Sequence, residues 1–179
     1  MLKQLFFRRA VLVACLVFAN GLINAAPASS ATVGTMSKSP TVYNATPKPV
    51  LVFYGDVMEM FNQLMKSLHA AKDAKSVAAA FNKATETAAN QKLPGRYQDL
   101  SKRYPEFFND DSGSGGPQVN NGWVPPSDWV KLSADFEKQM QQFGESAGNL
   151  SAFMGTTEVE TALDAFGAMM EKFNPGTED

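Results

Sequence analysis

The chain has 179 residues, 44% apolar and 19% charged, with sixteen Lys/Arg against eighteen Asp/Glu and a net charge of −2. That balance excludes a wholly disordered, collagenous or multi-span membrane chain, and it leaves no basic excess for nucleic acid. One cysteine and one histidine exclude a disulfide framework, a cysteine-built zinc or iron–sulfur site and any two-histidine metal motif.

Residues 1–26 have the three parts of a secretory signal peptide. Lys3, Arg8 and Arg9 form the basic start, Ala10–Ala19 the apolar stretch, and Ala25-Ala26-Pro27-Ala28 a small-residue exit. The expected cleavage falls between 25 and 31. Ten apolar residues are too few to cross a bilayer, which takes roughly 20, so no stable span is expected after cleavage. Leu12-Val13-Ala14-Cys15 resembles the lipobox of bacterial lipoproteins, which would make Cys15 an acylated first residue. Apolar residues continue past that cysteine at Leu16, Val17 and Phe18, so lipidation is the minor alternative. Loss of Lys3, Arg8, Arg9 and Cys15 would leave a mature chain with no cysteine and a net charge of −5, stable on packing alone.

Residues 27–49 are rich in Ser, Thr, Pro and Ala, with no period of 2 or 3.6, and read as a disordered tail or linker. From Val50 the pattern changes. Val50, Tyr54, Val57, Phe61, Leu64, Leu68 and Ala71 recur at 4-3-4-3-4-3, which predicts a helix to about Lys72, widened by Leu51, Met58 and Met65. Ser76 reads as the N-cap of a second helix to about Lys92, with Val77, Ala80, Phe81, Ala84 and Ala88 on its face. Leu93-Pro94-Gly95 punctuates the chain. Arg96–Tyr104 predicts a short helix stopped by Pro105.

Residues 109–126 form a long interior loop, well above the usual length. Ser127 then caps a helix lined by Trp129, Leu132, Phe136, Met140 and Phe143. A Thr157/Glu160 capping box opens the last one, lined by Val159, Leu163, Phe166, Met170 and Phe173. No segment alternates as a strand would. The fold class is all-α: an antiparallel bundle of four main helices and one short helix over 50–174, followed by a tail at 175–179.

The chemistry is sparse. Gly144-Glu145-Ser146-Ala147-Gly148 fits G-x-S-x-G, the nucleophile elbow of esterases. An elbow needs a strand before it and a histidine after it, whereas here a helical stripe precedes and His69 lies far upstream. The string reads instead as a helix whose glycines kink it or admit a close neighbour. Met58, Met60, Met65, Met140, Met154 and the Met169-Met170 pair could offer thioethers to copper, and His69 could offer an axial ligand to haem. Most of these methionines fall on or beside core stripes, and His69 falls towards the polar side of its helix. No cofactor or metal is therefore expected.

The aromatic group Tyr97, Tyr104, Phe107, Phe108, Trp123 and Trp129 brackets the long loop. Trp123, Tyr104, Phe107 and Phe108 are the candidate partner-binding residues, since exposed aromatics anchor partners or stack on sugars. The expectation is a non-enzymatic binding or scaffolding protein of the periplasm or cell exterior, acting on a protein or envelope polymer. The alternative is a carrier of haem, copper or an apolar molecule. An envelope hydrolase is less favoured, because no catalytic constellation is evident. Oligomeric state is not legible.

Overall fold

A computed structural model describes residues 43–108, 124–153 and 155–173. The signal segment, Cys15, Trp123, Met154 and residues 174–179 lie outside the described residues. The rest is mostly helical, with no strand among the described residues. Five α-helices follow in order: α1 (Lys48–Ala70), α2 (Ala74–Asn90), α3 (Leu93–Arg103), α4 (Ser127–Gly148) and α5 (Thr157–Glu171). Short 3-10 turns at Pro105–Phe107 and Asn149–Phe153 follow α3 and α4.

Helix α1 starts two residues before the expected Val50. Its first turn closes on the Pro47 carbonyl, which accepts from the Val50 and Leu51 N–H groups at 2.9 and 3.1 Å. Proline at the start removes N–H groups that had no helical partner in any case. Six of the seven stripe residues are buried as the spacing requires, with Ala71 at the margin. The stripe widens through Phe53, Met60 and Met65, while Leu51 and Met58 are only partly covered. A helix with neighbours on several sides needs more than one apolar line, and a 4-3 count finds only one of them.

The cap of α2 is Asp73, not Ser76. Ser76 stands at the third helical position, and its N–H donates to Asp73 Oδ1 at 2.7 Å while its Oγ accepts from the Asp73 N–H at 3.2 Å. That reciprocal pair is a capping box with serine in the place usually held by Glu. The Ser76 hydroxyl, then its N–H, hold the Asp73 carboxyl below its ordinary range. The small face of α2 (Ala78, Ala80, Ala84 and Ala88 beside Val77 and Phe81) lets α5 lie close, and these two helices pack more extensively than any other pair. Helix α2 ends at Asn90, and Lys92 takes a left-handed conformation at φ 53°. Leu93-Pro94-Gly95 therefore opens α3 rather than separating it from α2, with Pro94 in its first turn.

Helix α5 also starts differently from the sequence reading. Thr156 holds the cap position, but its hydroxyl donates back to the Phe153 carbonyl at 3.1 Å, and no Thr157/Glu160 box forms. Glu158 and Glu160 still lie in the first turn, where the helix dipole favours acids. Gly155, at φ +100°, makes the turn into α5 in a conformation that side chains resist.

The expected antiparallel arrangement does not describe every packed pair. Thr46 meets Asp128, Met58 meets Gln139, Phe61 meets Phe143, and His69 meets Ser146. Both numbers rise together, so α1 and α4 lie side by side in the same direction. Against α5 the order reverses: Phe53 meets Phe173 and Phe61 meets Phe166. The short α1–α2 turn makes α2 antiparallel to α1 as well. A parallel neighbour was not legible, because direction depends on where the chain re-enters after residue 108, and hydrophobic spacing has no sign.

Candidate functional site

The aromatic group gathers at the end of the molecule where α1 and α4 both begin. Trp129 meets Phe107 edge-on with centroids 4.9 Å apart, and meets Tyr54 at 5.1 Å. Tyr43 meets Phe107 edge-on at 5.1 Å, and Phe108 touches Tyr54, Tyr97 and Phe53 at 5.2–5.8 Å. Each contact is within the range in which aromatic pairs gain energy beyond their buried area. Phe53 lies beneath, and the Arg96 guanidinium stands 5.7 Å over its ring while pairing with Asp56 at 2.7 Å, which ties α3 to α1.

The candidate residues divide. Phe107 is 3% exposed, with its ring enclosed by Tyr43 and Trp129. Phe108 and Tyr104 are half-buried, and the Arg103 guanidinium stands 5.4 Å over Tyr104. Trp123 lies outside the described residues. Trp129 is core, as its stripe position requires.

In the described part of the expected tail, residues 43–49, Tyr43 and Thr46 are held against the body while Asn44, Ala45, Lys48 and Pro49 are exposed. The Thr46 hydroxyl donates to Asp128 Oδ1 at 2.8 Å, and its N–H is shared between both carboxylate oxygens at 3.1 Å. The Trp129 N–H donates to Oδ1 at 2.9 Å. The Thr46 hydroxyl is the main cause holding the Asp128 carboxyl below its ordinary range, with these N–H groups adding to it. Tyr43 reaches Glu106 Oε2 at 3.4 Å, and burial and that carboxylate raise its hydroxyl's pKa. Residues 43–46 carry no periodicity, so no sequence signal marked them as a strap across the start of α4.

A second group lies at the opposite end. Ser146 Oγ is 3.2 Å from His69 Nε2, so the histidine has the partner that the sequence did not reveal. A groove of about 440 Å³ runs between α1 and α4 there, with His69, Met65 and Glu145 among its lining residues. The Ser146 hydroxyl donates to the Gln142 carbonyl at 2.8 Å, one helical turn back. A general-base pair needs that proton aimed at the imidazole. Ser146 is also helical and buried, not raised on a strained turn.

Gly144 is an ordinary helical residue, and a β-carbon there would meet nothing within 4 Å. The expected close neighbour is absent at this glycine. Gly144→Ala is therefore expected to stabilise the fold by roughly 0.5–1 kcal/mol, read as a higher urea midpoint. An esterase elbow would be damaged by the same change, and a lowered midpoint would contradict the helical reading.

Among the described residues, no group of three or more His, Cys, Asp or Glu is placed to hold a metal ion, and no helix is long and apolar enough to cross a membrane. No family model matches the chain, and no curated protein or solved structure matches it.

Proposed function

We propose that this is an exported, non-enzymatic binding protein that presents residues 109–126 to a protein or an envelope polymer outside the cytoplasm. The four long helices, read as one bundle with α3 across one end, are the support. The observation that carries the reading is the 4.9 Å contact between Phe107 and Trp129. Residues on either side of the segment meet, so its length is not needed to connect distant elements. A handful of residues would close the same gap, whereas this many could reach tens of ångströms. Loops of such surplus length on a rigid frame are where binding is usually carried. The arrangement of Ser146 supports the non-enzymatic part, because its hydroxyl lies closer to a backbone carbonyl, at 2.8 Å, than to the imidazole, at 3.2 Å.

The test replaces 109–123 with four Gly/Ser residues. The shortened protein is expected to fold with equal or higher stability, by about 1 kcal/mol from the smaller loop-closure cost. The full chain is expected to co-sediment with the host's envelope fraction, and the shortened protein is expected to lose that co-sedimentation. Equal co-sedimentation of the two proteins would refute the binding role of this segment. N-terminal sequencing of the protein recovered outside the cytoplasm should begin between residues 26 and 32, and an intact Met1 there would refute the signal reading.

A further inference from the structure

We infer that the groove between α1 and α4 near the end of α1 is a binding site for one soft monovalent metal ion of the Cu(I) type, with the His69 imidazole and the Met65 thioether as its protein ligands. The site lies towards the far end of α1 from the aromatic cluster, about 22 Å along the helix from Tyr54 to His69, and it does not depend on the binding role proposed above.

The argument starts from one proton. A serine hydroxyl has a single hydrogen, and that of Ser146 is given to the Gln142 carbonyl. With the hydroxyl so engaged, the 3.2 Å contact between Ser146 Oγ and His69 Nε2 is made by the tautomer that carries its proton on Nε2, and the proposed site uses that tautomer. In the neutral ring the lone pair is left on Nδ1. Histidines that bind metals are commonly held in this way, with one ring N–H donated to a fixed acceptor and the other nitrogen presented to the ion. The acceptor here is itself anchored to a helix backbone, so the chain Gln142 carbonyl, Ser146 hydroxyl, His69 ring holds the ring's orientation and favours this tautomer. His69 is exposed, so its ring is open to an incoming ion.

Met65 is the second ligand. It stands four residues before His69 on α1, which puts the two side chains on the same helix face. Both line the groove, and Met65 also belongs to the core beneath it. The electrostatics favour a cation, because α1 ends here at Ala70 and its C-terminus brings a partial negative charge. Glu145 on the α4 side adds a full one, and Lys66 opposes them. Thioether and imidazole together select a soft ion over zinc, magnesium or calcium. Loading exchanges solvent or carrier ligands on the ion for Nδ1 and the sulfur, with no change of oxidation state.

The test uses the folded mature chain. Cu(I) is added under anaerobic conditions against a competing colorimetric chelator, and Ag(I) serves as the redox-inert probe for NMR. One equivalent is expected to bind, shifting the His69 ring and Met65 methyl signals. His69→Gln, at an exposed position, is expected to remove this binding with the circular dichroism unchanged. Met65→Leu should weaken it at least tenfold, and Ser146→Ala by roughly 10–100-fold at unchanged stoichiometry. Lys66→Met should tighten it. Absence of one-equivalent binding, or binding that survives His69→Gln, overturns the site. Wild-type affinity in Ser146→Ala overturns the tautomer basis and with it the proposal.

Discussion

Phe53→Ala is expected to cost about 3–5 kcal/mol of stability, the range for removing a fully enclosed ring. Phe53 has no exposed surface, and its ring meets Tyr54, Tyr97, Phe108 and Phe173 under the Arg96 guanidinium. It thus joins α1, α3, the 3-10 turn after α3 and the end of α5. Total stability for a domain of this size is about 5–15 kcal/mol, so one substitution removes a large share of it. The adjacent Val52 is 47% exposed, and Val52→Ala should change stability by no more than about 0.5 kcal/mol. Urea unfolding of the two variants would show a large shift in midpoint for the first and little for the second, at similar slope. A cost below about 1.5 kcal/mol for Phe53→Ala would contradict its place at this junction.

The second large effect appears in alkali. Tyr54 is buried against Trp129, Phe136 and Phe108, and burial pushes its hydroxyl far above the ordinary tyrosine range, with Tyr97 adding to it. A group whose folded pKa is raised contributes stability that is full below its unfolded value and is lost as pH climbs past it. The unfolded value is near 10, so the loss begins there and proceeds at about 1.4 kcal/mol per pH unit for this one proton. Tyr54→Phe is expected to remove that part of the alkaline slope. At neutral pH it should cost little, because the hydroxyl's bond to the Phe107 carbonyl is long, at 3.4 Å. Stability curves of both proteins between pH 8 and 12 would decide it, and equal alkaline slopes would mean that Tyr54 ionises in the folded protein.

Much of the helical architecture was legible because burial on a helix leaves a period. The stripes of α1, α4 and α5 anticipated Phe61, Phe136, Phe143, Phe166 and Phe173 as core. Phe53 and Met60 escaped, since they lie one residue off the counted line and become interior only when further helices close around α1. The caps at Asp73 and Thr156 were misplaced by one to three residues, because several polar residues in each turn can meet the same N–H groups. The Arg96–Asp56 pair and the Thr46–Asp128 strap join residues far apart in sequence, and no local pattern announces them.

The site residues follow the same division. The aromatic character around 97–129 was plain, and so was the excess length of the segment 109–126. That Phe107 would be enclosed while Phe108 and Tyr104 stay at the margin was decided by Tyr43 and Trp129 arriving from two other segments. His69 and Ser146 seemed unrelated because 77 residues separate them and an antiparallel register would have kept them apart.

The sequence by itself determined the helical class, the apolar faces and the absence of local signals for strand. Each follows from side-chain periodicity along a single segment. Only the tertiary structure decided that α1 and α4 run in parallel, that Phe107 and Trp129 meet from opposite sides of the loop segment, and that His69 meets Ser146. The reason is physical: periodicity selects which face of a helix is buried, whereas direction and register come from interdigitation of side chains between segments, which no one segment encodes.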